Sequence, residues 1–376
     1  MRTSFRIARI AGIDINVHVT FGLIVLLGAM DWGSRFGARG ALFGALLVVV
    51  LFLCVVLHEL GHALVAKAFG IGVRDITLLP IGGVARMEKN PEKPVHELVI
   101  AAAGPLVNIL LAAGLLAVTG VASSLGKLDP ATALKSLTPG SETALLWLLF
   151  ANILLAVFNL LPAFPMDGGR MLRAVLAMFL GFGPATRVAS GVGQFLAVAM
   201  GLFGLMTGNF LLALVALFVF LGASQERAEE SARVVLGTTR VGDAYNKNAI
   251  TLAPGTAISQ VVDHILTSYQ PDFAVMQGTN LLGVVSRDDI LKSLATELAD
   301  GYVTGIMNRE PVRVEADMPL DDVRKHLAER GQRVAAVHRG DAFLGLVSAE
   351  DIAEALLVIS FSNAQEARRN AAARSA

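Results

Sequence analysis

The stretch ALFGALLVVVLFLCVVLHELGHALVAKAFG, residues 41–70, combines two things that seldom coincide. It is apolar enough, and long enough, to cross a bilayer, for which roughly 20 mostly apolar residues suffice. Inside it lies His58-Glu59-Leu60-Gly61-His62. In a helix, positions i and i+4 lie on one face, so the two imidazoles can take one Zn²⁺ while Glu59 handles the proton of a water. Ionisable groups at membrane depth are costly, about 2.5–3.5 kcal/mol each on insertion scales. Three polar groups at one depth therefore call for a shared reason, and a metal supplies one.

Working outward, the rest of the chain supports a membrane setting. Of its 376 residues 54% are hydrophobic and only 16% charged, with a mean hydropathy of +0.62. Soluble domains carry nearer a quarter charged residues. The formal net charge is zero, which gives no argument for a nucleic-acid partner. The one cysteine, Cys54, can form neither an internal disulfide nor a cysteine metal cage, and reads as a small buried hydrophobe. The basic N-terminus is followed by an apolar run with no clear cleavage site, so no signal peptide is expected.

Apolar runs at about 17–32, 41–68, 97–122, 142–162, 184–206 and 209–224 predict six spans. Six spans place both termini on one side. Basic residues favour that side, the other holding Arg35, Arg39, Lys127 and Lys135, so both termini are expected in the cytoplasm. Between spans, Val73 to Met87 alternates apolar and polar residues and predicts a strand or hairpin, and 168–181 predicts a short helix. His18 reads as an interfacial residue. His96, His264, His326 and His338 read as surface residues without ligand spacing.

A catalytic zinc keeps three protein ligands and one open position. Asp167 is the strongest third ligand. It follows an apolar run, in NLLPAFPMDGGR (159–170), where prolines and glycines break the helix. Irregular backbone at membrane depth is tolerated where it lines a wet cavity. Position alone leaves a second reading equally open, that Asp167 only caps the next helix.

HELGH in one span and NLLPAFPMDGGR after a later one resemble the site-2 protease family, and Ala103-Gly104-Pro105-Leu106-Val107-Asn108 matches a Gly-Pro-x-x-Asn pattern between them. The resemblance covers roughly residues 1–225. It implies an intramembrane zinc metalloprotease in which His58, His62 and Asp167 hold zinc and Glu59 activates water. It places Asn108 and Asn159 near the active site, with a role in holding substrate. The substrate it implies is a transmembrane or membrane-bound protein, and the setting a prokaryotic cell membrane.

Composition changes near Gln225, where charged residues become frequent. Beyond it the chain repeats with a shift of 62 residues and no gap. Val241 falls on Val303, Leu282-Gly283 on Leu344-Gly345, Val285-Ser286 on Val347-Ser348, and Asp289-Ile290 on Asp351-Ile352. Units that match this well usually pack as a pair. Each signature runs from a strand into a helix start, where Ser286 and Ser348 can cap the helix or hold a phosphate, and Asp289 and Asp351 can accept from ribose hydroxyls. The same spacing is also a capping box that needs no ligand. The repeat is similar to a CBS-domain pair over about 240–358. That likeness implies an adenine nucleotide on Ser286, Asp289, Ser348 and Asp351, and leaves a homodimer through this domain open.

The expected architecture is thus a polytopic α-helical membrane protein of about six spans with a C-terminal α/β CBS pair. Its parts are a membrane-embedded protease domain (1–225), a linker (226–239), two CBS repeats (240–298 and 299–358) and a disordered tail (359–376). Two other functions stay open: a CBS-regulated transporter or channel, whose polar residues should spread along several spans, and a catalytically silent scaffold, which should lack Glu59 or a ligand.

Overall fold

Residues 4–80, 82–124, 138–268, 270–295 and 301–375 are described by a computed structural model. Lys127 and Lys135 lie outside them, as does Arg2. The chain divides into two units, 1–228 and 229–376.

The first unit starts with strands that the sequence reading did not include. β1 (Ser4–Ile10) and β2 (Ile13–His18) pair antiparallel, joined at Ala11 and Gly12, both with positive φ. β3 (Val73–Leu79) lies parallel to β2, and β4 (Gly82–Met87) closes a four-stranded sheet in the order β1-β2-β3-β4. The predicted hairpin is therefore half of a larger sheet. Alternation fixes its faces: Ile13, Ile15, Ile76 and Leu78 are buried against Phe52, Val56, Leu60 and Ala63 of the first helix. Among the described residues, β4 has a strand neighbour on one edge only.

Helix α1 (Phe21–Ala68) is the crossover between β2 and β3. It breaks at Gly37, whose φ of 62° and ψ of −149° suit glycine alone. Its two limbs fold back on each other, and close: a Cβ at Gly44 would fall 2.1 Å from the Gly28 carbonyl oxygen. The first two expected spans are these two limbs, the first beginning at Phe21 because Val17 and His18 belong to β2. The limb ahead of Gly37 is shorter than the roughly 20 residues of a full crossing. α2 (Pro94–Ser124), α3 (Ser141–Asn159), α5 (Phe182–Met206) and α6 (Phe210–Thr238) complete five helices that, among the described residues, are long and apolar enough to cross a membrane. Between α3 and α5 stands the shorter α4 (Asp167–Leu180), at the place of the predicted short helix.

The loop before α4 is seated deep. Ala163 and Met166 pack with Ala197 and Val219, and Phe164 with Ala189 and Ala223. Gly168 and Gly169 allow the turn, since a Cβ at Gly168 would meet the Leu161 carbonyl at 2.2 Å. Arg173 on α4 donates its Nε–H to Glu97 of α2 at 2.9 Å and pairs with Glu226 of α6. Glu97 is buried, so this ion group ties three helices together at α4.

The second unit holds the repeat. Sheet β5-β6-β7 (Thr251–Leu252, Asp272–Gln277, Asn280–Ser286) belongs to the first copy, and β8-β9-β10 (Val312–Glu315, Val334–Arg339, Ala342–Ser348) to the second. In each copy one strand pair is parallel and the other antiparallel. Bridges Asn246↔Leu346 and Val284↔Asn308 join the copies symmetrically, as the 62-residue shift requires. Ala274, Val284, Val334, Ala336 and Leu346 form a shared core between the two sheets. His338 belongs to this buried region and bonds to the Ala336 carbonyl, contrary to its expected place on the surface.

Two expectations are corrected here. Residues 226–238 of the expected linker are the end of α6, and the expected disordered tail continues the last helix, Ala349–Ser375. Both segments are polar but rich in Ala, Glu and Arg, strong helix formers, so low hydrophobicity does not prevent a helix extending from a packed start.

Candidate metal centre

Second-limb residues of α1 bring His58 and His62 to one face, and the seated loop brings Asp167 to them. His62 Nε2 lies 3.2 Å from Asp167 Oδ2 and 3.2 Å from His58 Nε2, and His58 Nε2 lies 3.3 Å from the same carboxylate oxygen. All three residues are buried. Asp167 is the first residue of α4, after the cap position at Met166, and its side-chain contacts are with the histidines, as in the ligand reading rather than the capping one.

The remaining ring nitrogens decide what these atoms can do. His62 Nδ1 lies 2.6 Å from the Ile100 carbonyl oxygen, which can only accept, so Nδ1 carries a proton and Nε2 is the ring nitrogen that can serve as a ligand. Asn108 Oδ1, 3.2 Å from His58 Nδ1, plays the same part for His58. With each Nδ1 so engaged, the two Nε2 atoms and the Asp167 carboxylate are the groups left to converge on one point. They repel one another unless a cation lies among them, and two imidazoles with one carboxylate are a zinc donor set. The backbone opposite has been cleared for this group: a Cβ at Gly104 would fall 2.1 Å from His62 Nε2 and 2.7 Å from His58 Cε1.

Glu59 is half-buried, next to His58 in the chain, and is not one of the three converging ligands. It touches β4, where a Cβ at Gly83 would fall 2.5 Å from its Cγ. The edge strand thus passes directly over the carboxylate. Asn159, expected near the site, ends α3 and donates to the Leu155 carbonyl of its own helix. Nothing in the sequence marked Ile100 as the partner of His62; Gly104 stood in the Gly-Pro-x-x-Asn pattern and Gly83 in the 73–87 strand segment, neither with the close approach to a site side chain seen here.

Residues 46–203 match the model of peptidase family M50, and 241–296 and 303–358 match the CBS domain. Over 361 residues the chain is 34% identical to a zinc metalloprotease of Methanocaldococcus jannaschii, covering 96% of this chain and 98% of that one. The chain belongs to peptidase family M50, the site-2 type of zinc metalloprotease. Stage IV sporulation protein FB of Bacillus subtilis is 30% identical over 215 residues, 56% of this protease and 65% of its relative. A solved site-2 protease from Methanocaldococcus jannaschii aligns with 60% of the protease and 95% of its own chain at 40% identity, with a TM-score of 0.43. The transporter reading falls with this membership. The silent scaffold has nothing in its favour, since both histidines, the aspartate and the glutamate are present and gathered.

In the second unit Ser286 and Asp289 close a capping box: Ser286 N–H and Oγ–H donate to Asp289 Oδ2 at 3.1 and 2.6 Å, and Asp289 N–H donates to Ser286 Oγ at 3.3 Å. Ser348 and Asp351 repeat it at 2.7, 2.8 and 3.0 Å. The first pair also lines a cleft of about 290 Å³.

Proposed function

We propose that the protease cleaves transmembrane or membrane-bound proteins at this centre, and that an adenine nucleotide on the CBS pair alters the rate. The observation that carries the first part is the convergence of three lone-pair donors, His58, His62 and Asp167, beside a general base within apolar helices. These three residues would hold zinc. When bound, zinc polarises a scissile carbonyl and lowers the pKa of bound water towards ~7. Glu59 takes the proton of the attacking water and delivers it to the leaving amine. Asn108 and Ile100 hold the imidazoles in the tautomer that the ligand role needs.

A helical substrate hides its peptide bonds, so a segment must unwind before cleavage. The free edge of β4 supports a place for it, because an extended peptide can add to a strand edge and β4 passes over Glu59. The distribution of basic residues supports cytoplasmic termini. For regulation, α6 supplies a physical route: its Glu226 pairs with Arg173 in the first unit, and its Leu236 is buried in the core of the second. A nucleotide effect is bounded by its differential affinity for two states, a few-fold to ~100-fold.

Elemental analysis of purified wild type and His58→Ala, each shown folded by circular dichroism, tests the carrying observation. About one zinc per chain in wild type and a large loss in the variant are expected. Equal zinc in both would remove His58 as a ligand.

A further inference from the structure

The two halves of the CBS pair are related residue by residue, yet the residues that correspond around their serine–aspartate pairs differ in charge. The cleft beside Ser286 and Asp289 is lined further by Asp288 and Lys292 of the first copy and by Gln332, Arg333 and Val334 of the second. The 62-residue shift gives the counterpart of each. Asp288 becomes Glu350, Asp289 becomes Asp351, Lys292 becomes Glu354, Arg333 becomes Pro271 and Val334 becomes Asp272. The backbone frame is the same in both: Gln270 accepts from the Ile250 N–H at 2.8 Å, and Gln332 from the Val312 N–H at 2.9 Å. Two cations and an apolar side chain on one side are thus replaced by an acid, a proline and an acid on the other.

We infer that the CBS pair holds a single nucleotide, its phosphate on Arg333 and Lys292 in the Ser286–Asp289 cleft, while the cleft around Ser348 and Asp351 excludes phosphate. The inference rests on the reading that this pair binds nucleotides, and adds which cleft does so. At about 290 Å³ the first cleft is sized for a mononucleotide. Arg333 bridges Asp288 at 3.2 Å and Glu350, with its side chain 58% exposed. Ion pairs this open to water are weak, so a phosphate can recruit the guanidinium, which matches it with two parallel donors. Asp289 lines the same cleft and keeps a carboxylate oxygen beyond the one its capping box uses, an acceptor for ribose hydroxyls.

Around Ser348 and Asp351 the corresponding residues gather acids: burial, with Glu350 and Asp351 beside it, holds the Asp272 carboxyl up at about 6 even against the pull of Arg333, the cation that already pairs with Glu350 there. A phosphate there would add charge to a site that already resists the charge it has. A wider depression of about 530 Å³ carries Arg240 and Arg339, but sets Asp243, Glu315 and Asp317 against them and has no serine–aspartate pair.

Calorimetric titration of the full chain in detergent with ATP, AMP and adenosine tests this. One AMP per chain is expected. Arg333→Gln with Lys292→Gln should weaken AMP about 10- to 100-fold and leave adenosine nearly unchanged. Exchanging repeat residues, Pro271→Arg with Asp272→Val and Glu354→Lys, should raise the stoichiometry towards two. Two AMP per wild-type chain, or loss of AMP on Asp351→Ala but not on Asp289→Ala, would overturn the assignment and leave nucleotide binding standing. No binding of any of the three compounds at millimolar concentration, in wild type or variants, would overturn both.

Discussion

Replacing Gly104 by alanine adds one methyl group to α2 at the point where that helix faces the metal ligands. The new Cβ would lie 2.1 Å from His62 Nε2, 2.5 Å from its Cε1 and 2.7 Å from His58 Cε1. Ordinary contact begins near 3.4 Å, so His62 must retreat by ~1.3 Å, whereas a metal site tolerates ligand errors of about 0.2 Å. The ring cannot simply slide, because its Nδ1 is tied to the Ile100 carbonyl. Overpacking of this kind costs about 1–3 kcal/mol of stability. The larger effect falls on the metal, with zinc affinity expected to drop at least ~100-fold. The assay is zinc content after dialysis at a series of buffered free-zinc concentrations, with circular dichroism as the control for fold. Gly114→Ala, on the same helix where a Cβ meets nothing within 4 Å, should retain wild-type affinity. A folded Gly104→Ala that binds zinc like wild type would refute the placement of the three ligands.

Asn108→Leu removes the acceptor for His58 Nδ1 at similar size, and should lower zinc affinity about 10- to 100-fold, with Asn108→Asp restoring most of it; unchanged affinity in the leucine variant would show that Asn108 does not set the tautomer. Arg173→Met strands the buried Glu97 carboxylate and should cost about 3–5 kcal/mol, read as a fall in Tm, while Arg173→Met with Glu97→Leu should recover much of it. If the double variant is no better than the single one, the loss is not that of an unpaired charge. Asp272 gives a pH dependence. Its folded-state pKa of about 6 lies above its ordinary 3.8, so its contribution is fully present below pH ~4 and lost as pH rises through 6, by up to ~3 kcal/mol. Asp272→Asn should therefore stabilise the second unit at pH 7 relative to wild type and show little difference at pH 4; an equal difference at both values would show that ionisation of Asp272 is not what costs stability.

What could be read in the sequence was what depends on spacing. His58, Glu59 and His62 lie within one turn of one helix, so a single run of letters held their geometry. Asp167 stood out because polar residues are rare in that half of the chain. The gapless shift of 62 residues gave the second unit its symmetry. Other features depend on partners far away in the chain. Asn108 lies 50 residues from His58 and Ile100 lies 38 from His62, so nothing local marks either as holding an imidazole. Arg173, counted only as a positive charge, is instead the centre of a buried ion group. β1 escaped notice because a bulge between Arg6 and Ala8 interrupts its alternation, and β2 because Val17 merges into the apolar run of α1. The serine–aspartate pairs were legible as helix starts, and the cleft beside Ser286 and Asp289 only once both copies were seen to line it.

The central claim is that Glu59 acts as base beside a zinc held by His58, His62 and Asp167. The most direct test compares wild type and Glu59→Gln, purified in detergent, on a defined transmembrane substrate in vesicles, with zinc measured in the same samples. Glutamine keeps the size of the side chain and loses the proton acceptor. The account predicts about one zinc per chain in both proteins and a cleavage rate at least ~10²-fold lower in the variant. Cleavage by Glu59→Gln at a rate near that of wild type, with zinc present in both, would contradict it.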